Sequence, residues 1–318
     1  MTEPEDLQDA ILGARAELTG DEVARESGLD VEQARRLWRA LGFPEAGSEA
    51  AFSKHDVEAL VRVASIMERG RLDFDTIVRL TRGMGTTMDR LAEWEVATIA
   101  GVVESNPNLP SRRSEALRLV QTIGPDFEAL LTYVWRRHLA AAVTRVQSLS
   151  DMADEHIVTT VGFADLVGFS ELTNDLAEDE IGDLVEVFES RSADVVSRHR
   201  GRIVKTLGDS VLFLANTPAA GMEIAWDIVK VIGGDERLPD VRVGVVTGLV
   251  VLRMGDVYGP AVNLAARLVG VARRNRVITD ASTAERLPEE RFETRVLPAR
   301  PVRGFGDMEP VAVRRVTR

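Results

Sequence analysis

The chain has no cysteine, only two tyrosines, and no apolar run that approaches the ~20 residues of a membrane span. Without cysteine, disulfides, thiolate metal sites and cysteine nucleophiles are all excluded. No membrane span is expected. The opening Met1-Thr-Glu-Pro-Glu-Asp6 is acidic where a secretory signal would be basic, which predicts a cytoplasmic protein. Positive charge is also scarce: 39 Lys and Arg stand against 51 Asp and Glu, a formal net charge of −12. Neutralising phosphates needs a surplus of Lys and Arg, so broad nucleic-acid binding is not expected.

What is present divides in two. A length of 318 residues can hold two independent cores. Residues 1–146 show repeated 3.6-residue apolar spacing and few alternating β-branched runs, predicting an all-helical domain. Thr19 with Glu22, and Ser53 with Asp56, read as helix starts. Pro107-Asn-Leu-Pro110 breaks the pattern before one or two long helices over 114–146. Residues 147–156 are polar and acidic and are expected to be a linker. Over 157–318 strands and helices alternate, which predicts an α/β sandwich. Helix-turn-helix spacing surrounds Gly28, and the second helix carries Arg35, Arg36 and Arg39, but residues 1–30 hold many more acids than bases and would repel DNA.

The chemistry concentrates in the second half. Asp165 ends the run Val158-Thr-Thr-Val-Gly-Phe-Ala-Asp165, and Asp209 interrupts Ile203-Val-Lys-Thr-Leu-Gly-Asp209-Ser-Val-Leu-Phe. A carboxylate on a buried strand is costly unless a cation or hydrogen bonds compensate it. Two such acids therefore suggest a shared site for hard divalent ions with oxygen ligands. A third segment, Gly255-Asp256-Val-Tyr-Gly-Pro-Ala-Val-Asn263-Leu-Ala-Ala-Arg267, puts Asn263 and Arg267 one helical turn apart on one face.

These three segments, in this order, resemble the class III nucleotidyl cyclase catalytic domain from about Ile157 to the C-terminus. The resemblance implies a ferredoxin-like α/β sandwich that cyclises ATP, with Mg2+ or Mn2+, two ions per site, held by Asp165, Asp209 and the Leu166 carbonyl. It implies Arg267 as the residue that stabilises charge on the α-phosphate and Asn263 as the ribose ligand. Lys205 and Asp256 match the adenylyl version of the family, a cation and a carboxylate that complement adenine. Backbone N–H groups in the turn after Asp165, around Gly168 and Phe169, would bind the β- and γ-phosphates. Arg303 would touch the triphosphate, with a plain surface arginine as the alternative. In this family the acids of one protomer meet the other residues across a head-to-tail dimer, so a homodimer is expected.

The helical half is similar to the regulatory domain of soluble actinobacterial, pH-responsive cyclases. Its expected signal is a proton or a lipid. His138 and His156 are candidates to titrate near neutral pH. The apolar helices over 57–67 and 116–134 could line a lipid pocket or simply pack. A reading from another class is a catalytically silent nucleotide-sensing module whose helical half binds DNA or a protein, against which the intact Asp165, Asp209 and Arg267 argue.

Overall fold

A computed structural model of the chain describes residues 7–43, 49–105, 111–149, 156–174, 176–253 and 255–316. The chain divides into two compact units, Met1–Arg145 and Val146–Arg318. The Pro107–Pro110 break and most of the expected 147–156 linker lie outside the described residues.

The first unit is helical: α1 (Leu7–Leu12), α2 (Gly20–Ser27), α3 (Val31–Leu41), α4 (Lys54–Gly70), α5 (Phe74–Glu104) and α6 (Arg112–Leu149). Two of its starts follow from local hydrogen bonding. Thr19 and Glu22 form a reciprocal capping box at α2, and Ser53 and Asp56 form another at α4. Gly28 ends α2 in a left-handed conformation at φ +77°, which glycine takes without the steric cost a Cβ would bring. Val23, Leu37, Trp38, Leu60 and Ile77 form the core of this unit. Val57, Val63 and Met67 of α4 pack against it, so the apolar face of that helix is accounted for by core packing. Residues 112–149 form one continuous helix with Pro125 inside it, and Ile123, Leu130, Tyr133 and Trp135 on it are exposed. The arginines of α3 are answered locally, Arg35 by Asp21, Arg36 by Asp75 and Arg39 by Glu32. Their charge is therefore partly neutralised within the helical unit. Among the described residues, no helix is long and apolar enough to cross a membrane.

The second unit is a mixed sheet with helices. In chain order come β1 (His156–Leu166), α7 (Phe169–Leu172), α8 (Glu178–Arg198), β2 (Arg202–Leu207), β3 (Ser210–Ala215), α9 (Pro218–Ile232), β4 (Val241–Arg253), β5 (Asp256–Tyr258), α10 (Pro260–Val271), β6 (Arg276–Thr279), α11 (Ala281–Ala284), β7 (Phe292–Val296), β8 (Arg300–Val302), β9 (Gly306–Met308) and β10 (Val311–Arg315). The sheet runs β2-β3-β1-β4-β6-β10-β7, with β5 also on β4 and a separate β8-β9 hairpin. Among the described residues only β4 and β6 pair in parallel, as expected for strands joined by the crossover helix α10.

The central strands are buried, which explains their dense Val, Leu and Phe. Phe188, Phe213, Met222 and Ile228 belong to a core on the α8/α9 side. Val161, Val246, Leu264 and Leu268 belong to one on the α10 side. Full burial of each such side chain stabilises by roughly 1.5–3 kcal/mol. The seat of α10 depends on Gly244 of β4. A Cβ there would lie 2.6 Å from the Ala265 carbonyl oxygen and 2.9 Å from the Val269 nitrogen. Backbone is what it would strike, so any larger residue would push the helix off the sheet.

Candidate active site

Asp165 is the penultimate residue of β1, and antiparallel register on both sides fixes its neighbours: Ser210 on β3 and Arg242 on β4. The Ser210 hydroxyl donates to one carboxylate oxygen of Asp165. Arg242 holds the other, with Nε at 2.8 Å and Nη2 at 2.7 Å from Oδ2. Asp209 lies beside them in the tight turn joining β2 to β3, where Gly208 takes φ +62°. The Leu166 N–H donates to the Asp209 carbonyl at 2.9 Å, which ties the end of β1 to this turn. Burial pushes the Asp209 carboxyl above its ordinary range, and the negative charge of Asp165 pushes it further.

That repulsion tests whether the residues suit divalent ions. Asp165 and Asp209, near enough for the charge of the first to raise the proton affinity of the second, form with the Leu166 carbonyl a hard-oxygen donor set whose repulsion a cation would relieve. Among the described residues no group of three or more His, Cys, Asp or Glu is placed to hold a metal. A pair of carboxylates fits the pattern of Mg2+, which keeps waters and takes substrate phosphates as its remaining ligands. The residues fit the ions.

The turn after Asp165 is partly committed to the fold. The N–H groups of Leu166 and Val167 donate to the Asp209 and Asp240 carbonyls, so these two are not free for phosphate as the sequence had suggested. Gly168, at φ +74°, and Phe169 follow them into a helix of four residues. A Cβ on Gly168 would meet only the end of Glu171 at 3.9 Å, so the turn is open there.

Lys205 and Asp256 come together from strands that are not neighbours in the sheet. A register shift between Ile203 and Lys205 bulges β2, which re-aims the side chain that follows. Lys205 Nζ lies 2.6 Å from Asp256 Oδ2. Burial raises the Asp256 pKa. The hydrogen bonds from Lys205 and from the Val257 N–H outweigh that effect and, with the Lys205 charge, hold the carboxyl below its usual range.

Asn263 and Arg267 share the exposed face of α10, whose other face is buried through Val262, Leu264, Ala265 and Leu268. Among the described residues neither side chain has a hydrogen-bond or ion-pair partner. Arg303 is exposed in the β8–β9 turn. The chain thus assembles the acid pair and the Lys205–Asp256 pair directly. No hydrogen bond or ion pair among the described residues links either of them to Asn263 or Arg267.

Sequence reasoning missed Arg242 and Ser210, because only strand register reveals that both face Asp165. The histidines singled out for titration near neutral pH are His138 and His156. His138 is exposed on α6, and the side chain of His156 lies outside the described residues. It is His199 that meets an acid, with Nε2 2.6 Å from Asp227 Oδ2. Arg315 closes the same cluster by bridging Asp227 and Glu223.

Comparison with known proteins identifies the family. The family described as the adenylate and guanylate cyclase catalytic domain matches residues 152–314. A Streptomyces coelicolor protein named adenylate cyclase is 39% identical over 96% of this chain and 87% of its own length. One of the same name from Glutamicibacter nicotianae is 37% identical over 96% of this chain and 80% of its own. A Mycobacterium tuberculosis protein named pH-sensitive adenylate cyclase is 29% identical, covering 92% and 77% respectively. The chain belongs to the adenylate and guanylate cyclase family.

Because folding lowers the Asp256 pKa, its ionised form stabilises the fold above the ordinary value of 3.8, and that contribution is lost as pH falls through the folded value. Asp256→Asn should therefore lower the unfolding temperature at pH 7. The cost is expected to be at most about 1 kcal/mol, since the pair is partly exposed, and to vanish near the acid limit. Thermal melts of both proteins from pH 7 downward check this, and a difference independent of pH would refute it.

Proposed function

We propose that the chain is an adenylyl cyclase that converts ATP to 3′,5′-cyclic AMP and pyrophosphate, as a homodimer with two Mg2+ or Mn2+ ions per site. The observation that carries the substrate choice is the Lys205–Asp256 contact at 2.6 Å. Adenine presents an acceptor at N1 and a donor at its 6-amino group, so a cation beside a carboxylate complements it, whereas guanine reverses the pattern. The names of the Streptomyces and Glutamicibacter relatives support the same reading.

In the reaction the ribose 3′-oxygen forms a bond to the α-phosphorus while the bond to pyrophosphate breaks in line. Bound to Asp165, Asp209 and the Leu166 carbonyl, the divalent ions would lower the pKa of the attacking hydroxyl and neutralise the triphosphate. The chain's own groups do the rest. Asn263 holds the ribose, and Arg267, one turn along the same face, offers a permanently charged fork to the charge developing on the α-phosphate. Backbone at Gly168 and Phe169 is left to meet the phosphate tail. Arg242, already against Asp165, adds positive charge beside the carboxylates.

The base assignment is tested by measuring cyclic nucleotide formation from ATP and GTP with Mn2+. Lys205→Glu with Asp256→Cys should weaken use of ATP and raise relative use of GTP. Unchanged selectivity would mean that these residues do not read the purine.

The homodimer reading is supported by Asn263 and Arg267 being exposed and, among the described residues, unlinked to the acid pair. Each site would combine the acids of one copy with α10 of the other. Asp165→Ala and Arg267→Ala homodimers should each be nearly inactive. Mixing them gives dimers in which one site carries both lesions and the other neither. Random association then restores about a quarter of wild-type activity, if the sites act independently. No recovery despite demonstrated subunit exchange would place the whole site within one chain.

Residues 1–146 complete the reading as a regulatory domain that responds to protons or a lipid. Its support is the likeness over most of the chain to a relative named pH-sensitive. A truncated chain starting near Asp151 should differ severalfold in specific activity and lose much of its pH dependence. Superimposable pH–rate profiles for the two chains would remove the sensor role.

A further inference from the structure

A second charged feature lies on the α10 side of the sheet. Register places Arg242 of β4 opposite Arg276 of β6. One further step of the β6–β10 register, which pairs Val313 with Val277, brings Arg314 beside Arg276. Residues opposite one another share a face of a sheet, so three arginines form a row at one sheet end, beginning at the one on Asp165. The row leads into a cavity of about 430 Å3. Arg276, Arg295 and Arg314 line it from the strands, Arg273 from the loop after α10, and Arg300 from β8. Its apolar lining includes Val271 and Ile278.

The charge of this cavity is opposite to that of the chain. Five arginines and a single acid, Glu293, line the cavity in a protein of net charge −12. The side chains of Arg273, Arg295, Arg300 and Arg314 have no ion-pair or hydrogen-bond partner among the described residues, and Glu293, though opposite Arg314 in register, pairs with none of them. Like charges gathered around one concavity repel one another and build a positive potential that an anion would relieve.

We propose that this groove binds a small polyphosphate anion, either a free inorganic chain or the phosphate tail of a nucleotide. Guanidinium forks match phosphate oxygens in bidentate geometry, and several around one concavity suit a ligand with several anionic centres. The size fits as well, since small-molecule sites span roughly 300–1,000 Å3. A nucleic acid is disfavoured, because its long array of phosphates would meet the acidic remainder of the surface. The proposal is independent of the cyclase reading: none of the five arginines belongs to the metal, purine or α-phosphate sets.

The test is calorimetric titration of the full chain with tripolyphosphate, free of divalent ions and at fixed ionic strength. Arg295→Gln with Arg314→Gln should weaken binding at least about tenfold, from the loss of two charge-assisted contacts. Cyclic nucleotide formation from saturating Mn-ATP should stay within about twofold of wild type. Arg273→Gln with Arg300→Gln, on the other walls, should weaken binding in the same way, which keeps the test open if the first pair disturbs the sheet edge. ATP titrated in parallel separates the sources. Weakening of tripolyphosphate alone assigns an inorganic chain, and weakening of both assigns a phosphate chain free or nucleotide-borne. Affinity unchanged in both double variants, or no saturable binding of tripolyphosphate to the wild-type chain at millimolar concentration, would overturn the proposal.

Discussion

The catalytic unit depends on holding a carboxylate at the end of a buried strand. Asp165 follows an apolar run whose neighbours Ala164 and Leu166 are almost fully buried, and an unanswered charge in such a place would cost several kcal/mol. The fold answers it by register. Antiparallel pairing on both sides delivers a hydroxyl from Ser210 and a guanidinium from Arg242 to the two carboxylate oxygens. The β2–β3 turn then brings Asp209 close, where it bears the electrostatic strain of a second negative charge. The same end of the sheet thus gives Asp165 two donors and leaves Asp209 with a raised proton affinity, which a cation would lower.

How much of this could be read from sequence depended on the range of the interaction. Capping boxes act over three residues, so Thr19–Glu22 and Ser53–Asp56 were legible and appear in the structure. Asn263 and Arg267 sit one helical turn apart, and a shared face follows from helix geometry alone. Asp165 and Asp209 stood out because charge on an apolar run is rare. Arg242 did not, since Val241-Arg-Val-Gly has the ordinary in-and-out alternation of a strand, and nothing local says that its partner lies 77 positions earlier. His199 escaped for the same reason: its acid is on another helix, 28 residues away.

The turn after Asp165 shows the reverse limit. A Gly in a strand-to-helix turn suggests free N–H groups, and two of those expected to be free are instead tied to the Asp209 and Asp240 carbonyls. Where backbone donors go depends on which segments lie beside them, and that is a property of the assembled sheet. The arginine row across β4, β6 and β10 is likewise invisible in the chain, where its members are separated by dozens of residues.

The close seat of α10 on Gly244 has a dynamic meaning. Helix backbone lies against strand backbone there, with no side chain between them to act as a cushion. The strand that carries Arg242 and the helix that carries Asn263 and Arg267 are therefore one stiff piece. Bending that joint to adjust the distance between the two sets of groups would open a gap in the core. If those groups must approach others to react, they travel as cargo on a single rigid block, and the timing of the chemistry is set by how blocks meet.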